Sequence, residues 1–502
     1  MPVYKVNVKW NSKKFNDLEI DTDASPQDFK ALLFSLTGVP PDRQKVMMPG
    51  GLLGDTSYDK IRLRNGATVM LMGSVDEPPS TTSVESADPV AQVRKDRKKP
   101  SLPVGIVNLG NTCYMNSALQ LLFTIPEFRA FLKILPAESL SSMNMESRNV
   151  VNTLRLTFEL LERTNEPVVP FAFLDALHAA FPQFATLERG DSNPIGGISR
   201  YQQQDANECW IEIVRVLQQV TLDSSTLSSS QNIPESFGTE GGWNLVSRFL
   251  TGRLVSTLTC TEGDEPPQES VDTFSQLSCF IDKDVKYLHT GLRNGLEGTL
   301  TKNSESLERE AVYKKVSQIS RLPGYLCVQF IRFFYKEKNQ INAKVLKDVK
   351  FPLSLDLYEF CAKDLQAKLL PQREKARAED EAEAMAVKAR KVDASKEEEP
   401  SNPEDNPELY DPYWLSDDLG SSATGLYELQ GVLSHQGRKS VGHYVAWIKR
   451  RGSWFKMDDQ QVSETTDEEI LKLSGGGEWH SAYLLLYGPR RVKKTITTPR
   501  DA

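Results

Sequence analysis

Cys113 stands in the stretch GIVNLGNTCYMNSALQLLF, where a polar loop containing Asn108, Gly110, Asn111 and Thr112 gives way to a helical pattern. The apolar positions Met115, Leu119 and Leu122 share one face of that pattern, so the spacing predicts a helix that begins at the cysteine. The sulfur then lies at a helix N-terminus, where unpaired backbone N–H groups and the positive end of the dipole favour thiolate over thiol. An activated nucleophile needs such a placement. Cys209, Cys327 and Cys361 sit in apolar runs and read as structural thiols.

A cysteine nucleophile requires a base and a group that orients the base. Of the five histidines, His178 in the apolar run FLDALHAAF and His289 in the loop-like YLHTG read as structural, while His480 lies beside a buried-strand pattern and His435 in SHQG reads as a strand end or loop. His443 differs, because GHYVAWIKRRGSWFKMDDQQV reads as a β-hairpin turning at Arg451-Gly452. With a two-residue turn, position 443 faces position 460, and Asp458 becomes a diagonal same-face neighbour about 7–8 Å away between backbones. Parity favours Asp458 as the orienting carboxylate. Asp459 is its near rival, separated from it only by hairpin register. Cys, His and Asp brought together from two distant segments follow the logic of cysteine-dependent acyl transfer.

These groups need a scaffold, and the chain is large enough to supply one. It has 502 residues, 39% hydrophobic and 25% charged, with a formal net charge of −8. That charge is too mild and of the wrong sign for a nucleic-acid or anionic-membrane surface. No apolar run approaches the roughly 20 residues needed to cross a bilayer, and the start MPVYKVNVKW does not read as an export signal. Six scattered cysteines without a CxxC pair fit a reducing compartment and make a zinc ribbon an unfavoured reading.

Residues 1–73 read as a unit of their own. Tyr4, Val6, Val8 and Trp10 alternate with polar residues as in a half-buried strand, and a second strand surrounds Leu18 and Ile20. Ser25-Pro26-Gln27-Asp28 opens a helix with Phe29, Leu32, Leu33 and Leu36 as its buried stripe, stopped at Gly38. Strands at Lys45 to Met48 and Ala67 to Met72 complete a β-grasp order. Residues 74–100 are rich in Pro, Ser, Thr and charge and read as a flexible linker. A second globular unit is expected over 101–491, followed by a tail over 492–502. Within it, 372–408 carries seven Lys and Arg against twelve Asp and Glu and reads as a solvated acidic insertion. A third block, YQQQDANECWIEIVRVLQQV, places Asp205 as a helix cap ahead of the stripe Ala206, Cys209, Ile213, Val216, Leu217 and Val220.

The first unit, with its run RQKVMMPGGLLGD, resembles a ubiquitin-like domain lacking a Gly-Gly terminus, which implies a permanent docking module. The cysteine and histidine blocks resemble the Cys box and His box of the ubiquitin-specific proteases, and the chain as a whole resembles that family's proteasome-associated branch. The resemblance implies an α+β chain: a β-grasp domain followed by a papain-like protease domain with thumb, palm and fingers. It makes Cys113 the nucleophile, His443 the general base and later acid, Asp458 the residue that holds the imidazole, and Asn108 the oxyanion-stabilising amide. Gln204 and Asp205 would line the channel for the tail of the substrate, with Tyr444 a second candidate for that channel; a plain helix cap remains the other reading of Asp205. The implied partners are ubiquitin, ubiquitinated proteins and the regulatory particle of the 26S proteasome, for a chain that is monomeric when free, needs no cofactor or metal, and works in cytoplasm and nucleus. Loops at Arg332 to Lys338 and Gln436 to Val441 would gate the channel. A non-catalytic adapter, and a protease for another ubiquitin-like modifier, are the competing readings.

Overall fold

The computed structural model describes most of residues 3–72, and then 102–187, 201–229, 234–336, 341–390, 406–438, 441–477 and 479–494. The expected linker, the later part of the acidic insertion and the end of the tail lie outside the described residues. The chain divides into two compact units, Met1–Lys98 and Lys99–Ala502.

In the first unit, β1 (Val3–Trp10) and β2 (Lys13–Asp21) form an antiparallel hairpin, followed by α1 (Pro26–Thr37) and the strands β3 (Lys45–Met48), β4 (Gly51–Leu52) and β5 (Ala67–Met72). The sheet order is β2-β1-β5-β3-β4, with β1 and β5 parallel at its centre. Val6, Val8, Ile20, Phe29, Leu33, Val46, Val69 and Leu71 make its core. Leu36, expected in the buried stripe, is 39% exposed. The outward positions of β3 and β5 present Met47, Met70 and Met72 to solvent.

The second unit opens with a helical lobe: α2 (Cys113–Phe123), α3 (Pro126–Ile134), α4 (Met145–Arg163), α5 (Phe171–Ala180) and α6 (Ala206–Leu217). A short pair, β6 (Thr221–Leu222) with β7 (Trp243–Asn244), precedes or flanks the small helices α7 (Ser224–Ser229) and α8 (Leu245–Phe249). Next come β8 (Gly252–Cys260), β9 (Gln268–Phe274), β10 (Leu277–Phe280), α9 (Leu288–Leu296), β11 (Glu297–Ser304) and β12 (Arg309–Arg321). Of these, β11-β12-β8-β9 form a four-stranded antiparallel sheet. The remaining elements are β13 (Leu326–Ile331), the hairpin β14 (Phe333–Lys336) with β15 (Ile341–Lys344), β16 (Ser354–Asp356), α10 (Lys363–Arg390), β17 (Leu426–Arg438), β18 (Val441–Arg450), β19 (Ser453–Asp458), β20 (Gln461–Thr465), α11 (Asp467–Leu471) and β21 (Ser481–Pro489).

The central sheet runs β10-β13-β21-β17-β18-β19-β20, with β16 added beside β17. Its last strand in sequence, β21, lies inside the sheet and is buried along nearly all its length. A continuous apolar strand is what a sheet covered on both faces requires. Leu484 and Leu486 enter the core shared with the helical lobe, and Leu485 and Tyr487 enter the core on the other face. A helix runs into the expected acidic insertion and begins ahead of it, at Lys363. Leu365, Leu369 and Ala376 bury one stripe of α10 while Glu381 to Met385 are exposed, so its first half is part of the packed body. Among the described residues, no helix is long and apolar enough to cross a membrane.

Candidate active site

The loop before α2 is built from short polar side chains that satisfy its backbone. Asn108 Oδ1 accepts from the Gly110 amide at 2.9 Å and the Thr112 amide at 3.2 Å, and Thr112 Oγ1 accepts from the Leu109 amide at 2.9 Å. Asn111 sits at φ 58°, and its Nδ2 donates to the Tyr201 carbonyl at 2.9 Å. Helix α2 therefore starts at Cys113, which is 2% exposed.

The β18–β19 connection is the two-residue turn Arg451-Gly452, with φ of 49° and 81°, and Arg450 pairs with Ser453. Positive φ at both turn positions matches the twist of the flanking strands. The resulting register brings His443 Nε2 within 2.7 Å of Asp458 Oδ1. Asp458 Oδ2 accepts from Lys456 Nζ at 2.8 Å. The hydrogen bond that His443 donates to Asp458, then the one it shares with Cys113, raise His443 to about 10. The same His443 bond, reinforced by Lys456, holds Asp458 well below the usual carboxylate range.

Asp459 is not the imidazole partner. At φ 54° it leaves the strand, and its Oδ2 accepts from Asn108 Nδ2 and its Oδ1 from Asn116 Nδ2, both at 2.8 Å. Its carbonyl accepts from the Ile106 amide at 3.0 Å. A Cβ at Gly105 would lie 2.7 Å from the carbonyl oxygens of Asp459 and Gln460, so this close approach requires glycine. His443, Asp458 and Asp459 also offer three ligand atoms within 4.8 Å of one another. Each carboxylate oxygen among them is already engaged by His443, Lys456, Asn108 or Asn116.

The third block sits beside this centre. Asp205 caps α6, accepting from the amides of Asn207 at 2.8 Å and Glu208 at 3.3 Å, and both its oxygens lie 2.9 Å from the Tyr483 hydroxyl, which donates to the carboxylate. Gln204 is half-buried in the same loop. Its neighbour Gln203, not singled out by the sequence, accepts from the Gly442 amide at 2.8 Å and places Nε2 3.9 Å from Cys113 Sγ.

Tyr444 requires correction as a channel residue. Successive strand side chains point to opposite faces, and Tyr444 is 1% exposed, packed in the helical-lobe core with ring centroids 4.5 Å from His435 and 6.2 Å from Tyr483. His435 and His480 are buried too, and burial pushes them down to about 3 and about 4. Of the missed residues, Asn116 carried a faint signal, lying on the same helical face as Cys113 three positions on, and Gln203 carried none; Asp459 was weighed only as a rival imidazole partner, and nothing in the sequence pointed to its bonds with Asn108 and Asn116.

Residues 104–487 match the ubiquitin carboxyl-terminal hydrolase family. The chain is 38% identical to ubiquitin carboxyl-terminal hydrolase 14 of Caenorhabditis elegans, over 99% of this chain and 96% of that protein. It is also 38% identical to ubiquitin carboxyl-terminal hydrolase 7 of Arabidopsis thaliana, over 97% and 99% of the two chains. Its fold is similar to that of a chain in the SAGA Ubp8/Sgf11/Sus1/Sgf73 DUB module bound to ubiquitin aldehyde, with a TM-score of 0.50 and 22% identity over 78% of this chain and 70% of the other. A match spanning most of the second unit, with relatives alike from end to end, places this chain in the ubiquitin carboxyl-terminal hydrolase family as a cysteine-type deubiquitinase.

Proposed function

We propose that the chain is a proteasome-associated deubiquitinating enzyme that hydrolyses the peptide or isopeptide bond at the C-terminal glycine of ubiquitin, with Cys113 as nucleophile, His443 as base and acid, and Asp458 holding the imidazole. The observation that carries this reading is the 2.7 Å bond between His443 Nε2 and Asp458 beside a cysteine at the first turn of α2. With Nε2 committed to Asp458, Nδ1 is the nitrogen left to exchange a proton with the sulfur. The thiolate attacks the glycine carbonyl, the tetrahedral oxyanion is stabilised by backbone N–H groups of the Cys113 turn and by Asn108, and the imidazolium protonates the departing lysine amine. Water then attacks the thioester as His443 takes its proton, and ubiquitin leaves. Asn108 Nδ2 has one hydrogen directed to Asp459, which leaves the second for the oxyanion.

Gln204 and Asp205 would flank the channel for the extended, basic tail of ubiquitin, with Asp205 held rigid by the α6 amides and Tyr483. The first unit would be the ubiquitin-like domain that docks on the regulatory particle. Supporting that reading are its mixed five-stranded sheet, its helix between β2 and β3, and the methionines it exposes. A monomeric free enzyme, found with proteasomes in cytoplasm and nucleus, follows from the same reading.

The test exposes the purified chain and its Cys113→Ala variant to ubiquitin bearing a C-terminal electrophile, with and without purified proteasomes, and maps the adduct by mass spectrometry. An adduct on Cys113 that forms faster with proteasomes is the expected result. Retained ubiquitin binding with no adduct in either condition would favour a non-catalytic adapter.

A further inference from the structure

Three segments meet at the sulfur: the loop before α2, the start of β18, and residues 201–205 ahead of α6. The first two carry the reacting groups, and they are also joined through the turn after β19, where Asp459 accepts from Asn108, Asn116 and the Ile106 amide. The third is unusually well anchored. Asn111 of the nucleophile loop donates to the Tyr201 carbonyl, the Gln202 amide donates to the Thr186 carbonyl at 2.8 Å, and Asp205 is held by two α6 amides and Tyr483 of β21. Gln203 projects from this fixed loop between the other two segments.

We propose that Gln203 is a positioning residue that sets the register between Cys113 and the strand carrying His443, one end of its carboxamide gripping the Gly442 amide and the other donating toward the sulfur. A planar carboxamide holds its oxygen and nitrogen at a fixed separation, so the 2.8 Å contact to Gly442 and the 3.9 Å approach to Sγ constrain each other. Gly442 directly precedes His443, so the grip is passed to the imidazole through one peptide unit. An N–H donor beside sulfur also favours the charged form of a thiol over the neutral one. The other ionisable groups acting with Cys113 are His443 on β18, its neighbour Tyr444, and Tyr114 on α2, and all three stay in place when Gln203 is replaced.

This inference rests on the assignment of Cys113 and His443 above, and two substitutions test it. Gln203→Glu keeps an acceptor for Gly442 but turns the donor facing sulfur into a carboxylate. Its KM for a ubiquitin C-terminal amide reporter should stay within about twofold, while alkylation of Cys113 by iodoacetamide at neutral pH and kcat both fall about tenfold, the alkylation profile moving to higher pH. Gln203→Ala loses both contacts, and kcat should fall about tenfold or more through misplacement of the base. Alkylation profiles that superimpose on the wild type in both variants, with unchanged kcat, would overturn the role of Gln203. The ubiquitin-electrophile adduct on the wild-type chain reads the assignment of Cys113 independently, so failure of one is distinguishable from failure of the other.

Discussion

Two adjacent aspartates divide the work at the site, and the division comes from a single backbone angle. Asp458 ends β19 in strand conformation and points its carboxylate at His443, whereas Asp459 at φ 54° turns back to bind Asn108 and Asn116. Asp458→Asn should lower kcat by about 100-fold or more, as expected when the group fixing the imidazole loses its charge. Because Asp458 is the main cause of the raised His443, the alkaline limb of the pH–rate profile should move to lower pH in that variant. Asp459→Asn should lower kcat by about tenfold through a loosened Asn108 loop, with the alkaline limb where it was. A pH series of kcat/KM on the two variants separates the roles. The first role was legible in the sequence, since a two-residue turn at Arg451-Gly452 fixes which residues share a face. The second was not, because a residue in the left-handed region leaves the strand alternation on which that reasoning depends. Gln203 was equally silent: in Tyr201-Gln202-Gln203-Gln204-Asp205 three identical side chains follow one another in a loop with no period to tell them apart.

At the scale of elements, the sequence revealed stripes better than it revealed approaches. The α6 stripe from Ala206 to Val220 is buried as its spacing predicts. Tyr444 was misread by adjacency to His443, although strand alternation itself turns neighbours to opposite faces. The start of α10 was missed because composition registers charge, while Leu365 and Leu369 extend the packed stripe upstream of the charged run. The approach of the segment before α2 to the turn after β19 is visible only in three dimensions. Gly105→Ala should therefore force the Asp459 turn outward. The expected cost is about 1–3 kcal/mol of stability, as in overpacked cores, read as a lower denaturant midpoint with unchanged slope and accompanied by reduced kcat.

For the whole molecule, acid is the weak side. His435 and His480 are buried as neutral rings, held to about 3 and about 4. Neither nitrogen of His435 has a hydrogen-bond partner among the described residues. Below about pH 6.5 the unfolded chain binds protons at these positions and the folded chain does not, so stability falls as pH drops toward those values. The slope should approach about 1.4 kcal/mol per pH unit for each histidine. His443 acts elsewhere: its folded value of about 10 lies above the unfolded one, so its contribution is complete below about pH 6.5 and is lost as pH rises through 10. Chemical denaturation between pH 7 and pH 4.5 checks this, and His435→Leu should make the slope in that interval shallower.

The placement of β21 inside the central sheet, between β13 and β17, bears on how the chain comes into being. Strands that emerge from synthesis early must wait for a late segment before either can be paired on its inner edge, and such long-range pairing is slow to form. Cys113 is thus made long before the strand on which its surroundings depend, and a chain stopped short of Ser481 would present two open edges instead of a slightly smaller enzyme.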